Sequence, residues 1–245
     1  MITCFTGFSS IANAGWSDWF NKETVEELVG SDKVDKVSDL ALSNEKIVDG
    51  LKQALSKGAD YAVETLGKTG GFLNNKNVRI PMPDKLSKVE KLIRKTGHDK
   101  YADEFISTMN SAAEAAVPLT IDVLKEGIKS MSVKDAKNIL NGEDDAATQY
   151  LRRVGSDQIK TKITVIVKQA TAKAGVTNTY KTMYKKLGFA GKYLNLDDYD
   201  IDSYVTQKTM AGLFTMIAKE EKKIRDNPAE RTTALLKDVF GSKNH

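Results

Sequence analysis

The sequence predicts an all-α protein, a single multi-helix bundle of about eight to ten helices with one long loop that contains Gly and Pro. Apolar residues recur three or four positions apart over most of the 245-residue chain, which is the spacing of amphipathic helices. Only four prolines interrupt a composition rich in helix-favouring residues. Because no segment repeats at a fixed period, a solenoid is excluded.

The composition is that of a globular protein and excludes several functional classes. The chain is 40% hydrophobic and 29% charged, and it lacks the run of about 18 apolar residues needed to span a membrane. The 37 basic and 33 acidic residues are interspersed, giving a net charge of +4. We therefore expect no nucleic-acid partner and no transmembrane segment. The oligomeric state is left open.

Histidine and cysteine are too scarce for the usual catalytic and metal chemistry. The chain contains His98, His245 and Cys4 as its full set of these two residue types. A zinc site built from Cys and His cannot be assembled from them, and we expect no cofactor. His98 would have to serve a Ser-His-Asp arrangement, but it lies in the turn "KTGHDK", where a surface histidine is the simpler interpretation.

The first 14 residues are typical of the end of a secretory signal peptide. They carry no charge and finish with the small-x-small pattern Ala12-Asn13-Ala14. Since a basic segment is missing ahead of them, we expect Met1 to lie inside a signal whose beginning is absent, with cleavage before Gly15 and export to the periplasm. The alternatives are a true start with an apolar tail, or a lipoprotein Cys4, for which "MIT" is a poor preceding sequence.

The predicted helices follow the apolar pattern along the chain. Residues 15–42 are predicted as an N-terminal helix and linker, in which 31–41 form either a linker or a weak helix. Residues 43–240 are predicted as the helical domain and 241–245 as a tail. Within the domain, Ser43 opens a helix with an apolar face made of Ile47, Leu51, Leu55, Ala62, Val63 and Leu66.

Residues 67–85 form the longest predicted non-helical stretch. Gly70 and Gly71 permit positive φ, while Pro81 and Pro83 favour extended backbone before them. Two interpretations remain open: a loop pinned over the core, or a partner-binding arm or lid. The side chains that would pin it are Phe72, Ile80 and Met82.

Further helix boundaries come from capping signals. Pro118 either kinks one helix or begins the next, and Ser132 with Asp135 resembles a capping box. Ser156 is predicted to cap another helix. The β-branched segment "KITVIVK", 162–168, has strand character, but the helical phase on both sides favours a helix.

Alternate acids near residue 200 resemble the start of a calcium loop. Asp198, Asp200 and Asp202 have the spacing of its first three ligands. Ser203 stands where the loop needs Gly, and Thr209 where it needs a bidentate Glu. An EF-hand is therefore disfavoured, and Asp202 is interpreted as a helix cap.

Residues 141–153, "NGEDDAATQYLRR", concentrate hydrogen-bonding groups. We predict a helix that begins near Glu143, with acids in its first turn and arginines further on, as the helix dipole favours. Residues four apart then align in two ladders, Asp144–Thr148–Arg152 and Asp145–Gln149–Arg153. The predicted apolar side is Ala147, Tyr150, Leu151 and Val154.

The arginines of this motif are suited to hold an acid of the same chain or an external carboxylate or phosphate. The candidate binding residues are Asp144, Asp145, Thr148, Gln149, Arg152, Arg153, Arg79 and Arg231. We predict no catalytic and no metal-binding residue. The favoured function is non-catalytic binding of an amphiphilic or anionic ligand or of a cell-envelope protein. The alternative is a carboxylate-dependent hydrolase acting on an envelope component, since Asp and Glu are abundant.

Four segments together resemble the bacterial domain-of-unknown-function family 4197. They are "GGFLNNKNVRIPMP", "ILNGEDDAATQYLRR", "YVTQKTMAGLFTMIAKEEKKIR" and "NPAERTTALLKDVF". The resemblance covers about Ser43 to Phe240 and implies an all-helical, usually exported protein of Gram-negative bacteria. It carries over no activity and no catalytic residues. The chain departs from the family at Ser111, where Arg is usual, so a polar site that depends on that Arg would be altered here.

Overall fold

The computed structural model describes residues 31–186, 200–231 and 233, and it is all-α over these residues, as predicted. The chain separates into two compact units, 1–46 and 47–245. The described part of the first unit, 31–46, is helical. The predicted division into domains stays a prediction.

Eight α-helices and three short 3-10 turns make up the described elements. The helices are α1 (Ser31–Leu66), α2 (Ser87–Lys95), α3 (Asp99–Ala116), α4 (Ile121–Lys129), α5 (Val133–Leu140), α6 (Ala146–Ala174), α7 (Val176–Lys185) and α8 (Ile201–Asp226). The 3-10 turns are Asp84–Leu86, Val117–Thr120 and Pro228–Glu230. None of the described helices is long and apolar enough to cross a membrane.

Helix α6 is the centre of the bundle. It packs against α3, α4, α5, α7 and α8, and α3 also contacts α2, α7 and α8. The core between them is apolar and closely packed, as is normal for a folded interior. Its largest fully buried side chains are Phe72, Phe105, Leu51, Leu55, Leu66, Ile80, Leu86, Ile93, Met109, Leu124 and Leu151.

Helix α1 begins at Ser31, so the segment 31–41 is helical and the predicted start at Ser43 is too late. The apolar face predicted for this helix is confirmed. Four of its members are buried and two are partly buried: Leu51, Leu55, Ala62 and Leu66, with Ile47 and Val63.

Helix α6 is continuous across the predicted helix start at Ser156, which is therefore wrong. The prediction relied on the local capping preference of serine, whereas here the helix continues and packs along its length against neighbouring helices. The segment 162–168 lies within this helix, with Ile163 and Val167 fully buried, so the preference for helix over strand is confirmed.

Of the stretch 67–85 predicted to be non-helical, residues 67–83 are non-helical and lie over the core, whereas Asp84 and Lys85 begin a 3-10 turn. Phe72 and Ile80 are fully buried and Met82 nearly so. Helix α3 supplies the partners of its backbone. One Glu114 oxygen accepts the N–H groups of Phe72 and Leu73 at 3.0 and 3.1 Å.

Asn110 holds the other end of this segment. Its Oδ1 accepts the N–H of Ile80 at 2.9 Å, and its Nδ2 donates to the Ile80 carbonyl at 2.8 Å. The Tyr204 hydroxyl of α8 donates to the Pro81 carbonyl at 3.0 Å. These contacts support the interpretation of a core cover rather than a lid.

Two local caps differ in how well the sequence indicated them. The predicted capping box is confirmed, because Ser132 and Asp135 exchange side-chain and backbone hydrogen bonds at the start of α5. The cap predicted at Asp202 is wrong. Asp200 caps α8 by accepting the N–H of Ser203 at 2.9 Å, and Asp202 accepts the Thr171 hydroxyl at 2.6 Å instead.

Several sequence predictions lie outside the described residues. These are the signal remnant 1–14, the N-terminal helix before residue 31, Asp198, and the C-terminal segment from 234 onward. Pro228 begins a 3-10 turn, and the Asn227 side chain just before it accepts the N–H of Ala229 at 3.0 Å.

Candidate functional site at the start of helix α6

The motif 141–153 consists of a short connection followed by the first turns of α6. Helix α6 starts at Ala146, so the prediction of a start near Glu143 is wrong. Residues 141–145, named here the α5–α6 linker, place all three acids before the first turn rather than in it. The linker backbone is already folded back, since the Glu143 carbonyl accepts the N–H of Ala146 at 3.0 Å.

A glutamate from α8 accepts hydrogen bonds from buried backbone N–H groups at the start of α6, which have no acceptor within the helix. Glu221 Oε1 accepts the N–H of Ala147 at 2.9 Å, and Oε2 accepts the N–H of Thr148 at 2.9 Å. The Thr148 hydroxyl donates to the same Oε2 at 2.8 Å. A helix N-terminus attracts an anion through its free N–H groups and its dipole, and here the anion belongs to the protein itself.

Arg225 completes this buried arrangement. Its Nε and Nη2 donate to Glu221 Oε1 at 3.1 and 2.8 Å, and both side chains are less than a tenth exposed. The same Nη2 donates to the Ile139 carbonyl at the end of α5, at 3.1 Å. Two α8 side chains therefore join the end of α5 to the start of α6.

The first predicted ladder does not exist as a surface row. Thr148 is buried against Glu221, with 1% of its surface exposed. Asp144 is paired instead with Lys222 of α8. The ladder failed because α6 begins after Asp144, which removes Asp144 from the helical spacing.

The second predicted ladder is present in part. Gln149 Nε2 donates to Asp145 Oδ2 at 2.8 Å, four residues apart as predicted. Arg153 pairs with Asp135 of α5 at 3.4 Å and lies 5.7 Å from the ring of Tyr150. Of the two predicted partners for Arg153, an acid of the same chain or an external anion, the structure shows the first.

The predicted apolar side of α6 is mostly confirmed. Ala147, Tyr150 and Leu151 are buried, but Val154 is 45% exposed. Arg152 lies with its guanidinium 5.0 Å from the ring of Phe214, a cation–π contact with α8.

The two remaining predicted arginines do not join this motif in the described structure. Arg231 is buried and donates to the carbonyls of Ile224 and Arg225, at 3.0 and 2.6 Å, so it closes the end of α8. Arg79 is exposed in the segment 67–83. Neither arginine lines the two grooves described next, and a binding role for the eight predicted residues stays a prediction.

A groove of 410 Å³, named here the acidic groove, lies between α5 and α6. Asp135, Glu143 and Asp145 supply three carboxylates, against the single cation Arg153. Its apolar surface comes from Ile139, Ala146 and Tyr150, and the other lining residues are Asn138 and Gln149. Since its charged rim is exposed or half-buried, the groove opens to solvent and favours a cationic group.

A second groove of 480 Å³, named here the apolar groove, lies on the other side of the linker against α8. Its lining residues are Asn77, Asp144, Asp145, Thr215, Met216, Ala218, Lys219 and Lys222. Asp145 thus borders both grooves.

Two of the four charged residues at the apolar groove, Asp144 and Lys222, are paired with each other. The hydrogen bond and charge of Lys222 hold the pKa of Asp144 below its ordinary value. The pKa of Lys222 is raised by its hydrogen bonds to Asp144 and Asp226. The second of these bonds is 3.1 Å long. Lys222 therefore does not act as a free cation at this groove.

The described residues contain no group of three or more His, Cys, Asp or Glu placed to hold a metal ion. His98 lies in the predicted turn, just before α3. Its Nδ1 is 3.1 Å from the Thr96 hydroxyl, and its ring stacks beside Tyr101 with centroids 6.0 Å apart. This supports the interpretation of a surface-turn histidine.

Sequence reasoning missed the residues that organise this site from α8: Glu221, Lys222 and Arg225. They stand in "AKEEKKIR", a charged run like many exposed helix faces. The carboxylate and the N–H group of Thr148 that it holds are 73 positions apart in the chain. No local spacing rule connects positions so far apart in the chain. The signal that marks such residues is the burial of one turn within an otherwise charged helix.

The family model described as "Protein of unknown function (DUF4197)" matches residues 41–241, which confirms the resemblance drawn from the four segments. No curated protein matches the chain. No solved structure matches it either.

Proposed function

We propose that this chain, which belongs to the DUF4197 family of proteins of unknown function, is a non-catalytic binding protein of the cell envelope. Its partner is another envelope protein that presents a basic segment to the acidic groove. The observation that carries this proposal is that three carboxylates and an apolar floor line the same groove, which is open to solvent. Mixed apolar and polar surfaces of this kind are typical of protein interfaces.

The state of the carboxylates favours binding over hydrolysis. Asp135 is engaged by the hydroxyl and N–H of Ser132, and Asp145 by Gln149. A catalytic acid needs a raised pKa, whereas the pKa of Asp144 is lowered by Lys222. The carboxylate-dependent hydrolase is therefore the weaker candidate.

The charge of the groove favours a basic partner over an anionic ligand. Glu221 already occupies the N-terminus of α6, and Asp135 already pairs with Arg153. An external carboxylate or phosphate would meet the remaining acids of the rim. An amphiphilic molecule usually requires an enclosed apolar cavity, while this groove lies at the surface.

Photo-crosslinking in the host's envelope tests the proposal. A photoreactive residue at Gln149, which is exposed and lines the acidic groove, should capture a discrete protein. Charge reversal by Asp145→Lys should abolish that product. The matched control Glu104→Lys reverses an exposed acid of α3 that does not line the acidic groove, and it should leave the product intact.

Two outcomes would overturn the proposal. One is the absence of any protein cross-linked at Gln149. The other is a product that survives Asp145→Lys as well as it survives Glu104→Lys. Native mass spectrometry of protein purified from its host tests the alternative of an amphiphilic ligand. A co-purified lipid would favour that ligand over a protein partner.

Periplasmic location is part of this proposal and rests on the signal-like residues 1–14. The N-terminus of the mature protein, sequenced from its host, should be Gly15. A cytoplasmic protein that retains Met1 would contradict export.

A further inference from the structure

We propose that the partner segment crosses the α5–α6 linker and occupies both grooves, so that the recognised unit is a linear peptide with a basic and an apolar side chain. The inference rests on the proposed function, because the basic side chain occupies the acidic groove. It adds a second subsite and a chemical pattern for the partner.

Continuity of the two grooves is the first support. Asp145 borders both of them, so the two grooves meet at this linker residue. Glu143 lines the acidic groove and Asp144 the apolar groove. A chain lying across the linker therefore passes from one groove into the other without leaving the surface.

The chemistry of the apolar groove specifies the second side chain. Met216 reaches the groove from the core with 3% of its surface exposed, and the half-buried Ala218 adds further apolar surface. The aliphatic stems of Lys219 and Lys222 extend such a surface while their ammonium groups stay in water. Lys222 is already paired with Asp144 and Asp226, and an acid beside Lys219 would also meet the carboxylates of Asp144 and Asp145, so an uncharged apolar side chain fits here better than an acid.

The linker between the grooves is held in place before any partner arrives. Glu221 and Arg225 fasten its two ends through the backbone of Ala147, Thr148 and Ile139. A surface that is already ordered loses little conformational entropy on binding. The outward side chains of the linker can therefore contact a partner without rebuilding the core beneath them.

Synthetic peptides provide the test. Each is acetylated and amidated, and the set contains lysine with leucine, lysine alone and leucine alone in an alanine background. Spacers of roughly two to five alanines cover the separation, since an extended chain advances about 3.3 Å per residue. Binding to the full-length ¹⁵N-labelled protein is followed by amide shifts and by fluorescence anisotropy.

The lysine–leucine peptide should shift amides of both Gln149 and Lys219, and bind on the order of tenfold more tightly than the lysine peptide, the gain expected from burying one further apolar side chain. Thr215→Lys alters an exposed position that lines only the apolar groove of the two. This variant should reduce binding of the lysine–leucine peptide to that of the lysine peptide and leave the lysine peptide unaffected.

These experiments distinguish a failure of the two-groove inference from a failure of the proposed function on which it rests. If the lysine peptide binds at the acidic groove but leucine adds nothing, or if Thr215→Lys has no effect, the two-groove inference is wrong and the proposed function stands. If no lysine-containing peptide shifts Gln149 at all, the proposed basic partner is wrong as well. Thermal unfolding followed by circular dichroism verifies that the exposed substitution leaves the fold intact.

Discussion

Helices α6 and α8 both begin after an aspartate, yet the carboxylates of the two aspartates bind different groups. Asp200 caps α8 itself, accepting the N–H of Ser203 three residues later. Asp145 occupies the same position before α6, but its carboxylate binds the side chain of Gln149 and borders the grooves. Glu221 satisfies the N–H groups of α6 instead.

The difference shows how a buried residue can release a surface residue for other contacts. Because Glu221 supplies the cap from beneath, the linker acids need not turn inward to the helix. Asp144 and Asp145 then remain at the surface, exposed and half-buried respectively. The local cap of α8 is self-contained, whereas the remote cap of α6 depends on α8 being docked.

Removal of the remote cap should have the largest effect. Glu221→Ala leaves the buried guanidinium of Arg225 without its carboxylate and two N–H groups without acceptors. Breaking a buried ion pair typically costs about 3–5 kcal/mol, so the free energy of unfolding should fall by that order. Chemical denaturation measures it. Glu143→Ala removes an exposed linker acid and should change stability by less than about 0.5 kcal/mol. Equal losses in the two variants would contradict the remote cap.

A second remotely held backbone segment extends the comparison. Asn110→Ala removes both hydrogen bonds that join α3 to the buried backbone of Ile80. Leaving buried polar groups unpaired costs about 1–3 kcal/mol, and the Ile80 amide should exchange its hydrogen faster. The exposed Asn138→Ala serves as the control. An unchanged exchange rate at Ile80 in Asn110→Ala would show that Asn110 does not hold the segment.

The local cap of α8 should be worth less. Asp200→Ala should cost about 1 kcal/mol, and Asp200→Asn should recover most of it because asparagine also caps helices. The pKa of Asp200 is lowered mainly by the N–H of Ser203, so the cap contributes fully above the ordinary aspartate pKa. That contribution disappears as pH falls through the lower, folded-state pKa.

Chemical denaturation measured over a range of acidic pH tests the predicted direction of this pH dependence. The advantage of the wild-type protein over Asp200→Ala should shrink as the solution is acidified through that range. Asp200→Asn, which does not titrate, should keep its own advantage over Asp200→Ala. A wild-type advantage that grows on acidification would show that the cap does not act through the ionised carboxylate.

The exposed pair of the linker should have the smallest effect on stability. Lys222→Gln removes the partner that lowers the pKa of Asp144. NMR titration of the side-chain carboxyl should show this pKa rising toward its ordinary value, with little change in unfolding, because exposed ion pairs are weak. The Asp144 pKa should stay low in Lys219→Gln, which alters a neighbouring exposed lysine. An unchanged pKa in Lys222→Gln would contradict the pairing.

The sequence predicted what local spacing determines. Residues close together in the chain predict the all-α class, the buried face of α1 and the capping box of Ser132 with Asp135. They also predict a core cover over 67–83, as one of two alternatives. Such features need only helical periodicity or a turn of backbone, which nearby residues define.

Long-range contacts account for what the sequence could not predict. A binding role for the motif 141–153 stays a prediction, and its helix starts later than predicted, with Glu221 supplying the cap in place of the local acids. Thr148 looked like a surface residue and is buried by the same carboxylate. Of the predicted site, Asp145, Gln149 and Arg153 line one groove, and Asp144 with Asp145 the other.

The remote cap also has a consequence for the order of folding. Asp200 and Ser203 can meet as soon as their own turn forms, since closing so short a loop costs little entropy. The α6 N–H groups receive their acceptor only after more than 70 intervening residues have brought α8 alongside. We therefore expect the first turn of α6, and with it the linker at which the grooves meet, to be completed late, when the two helices dock.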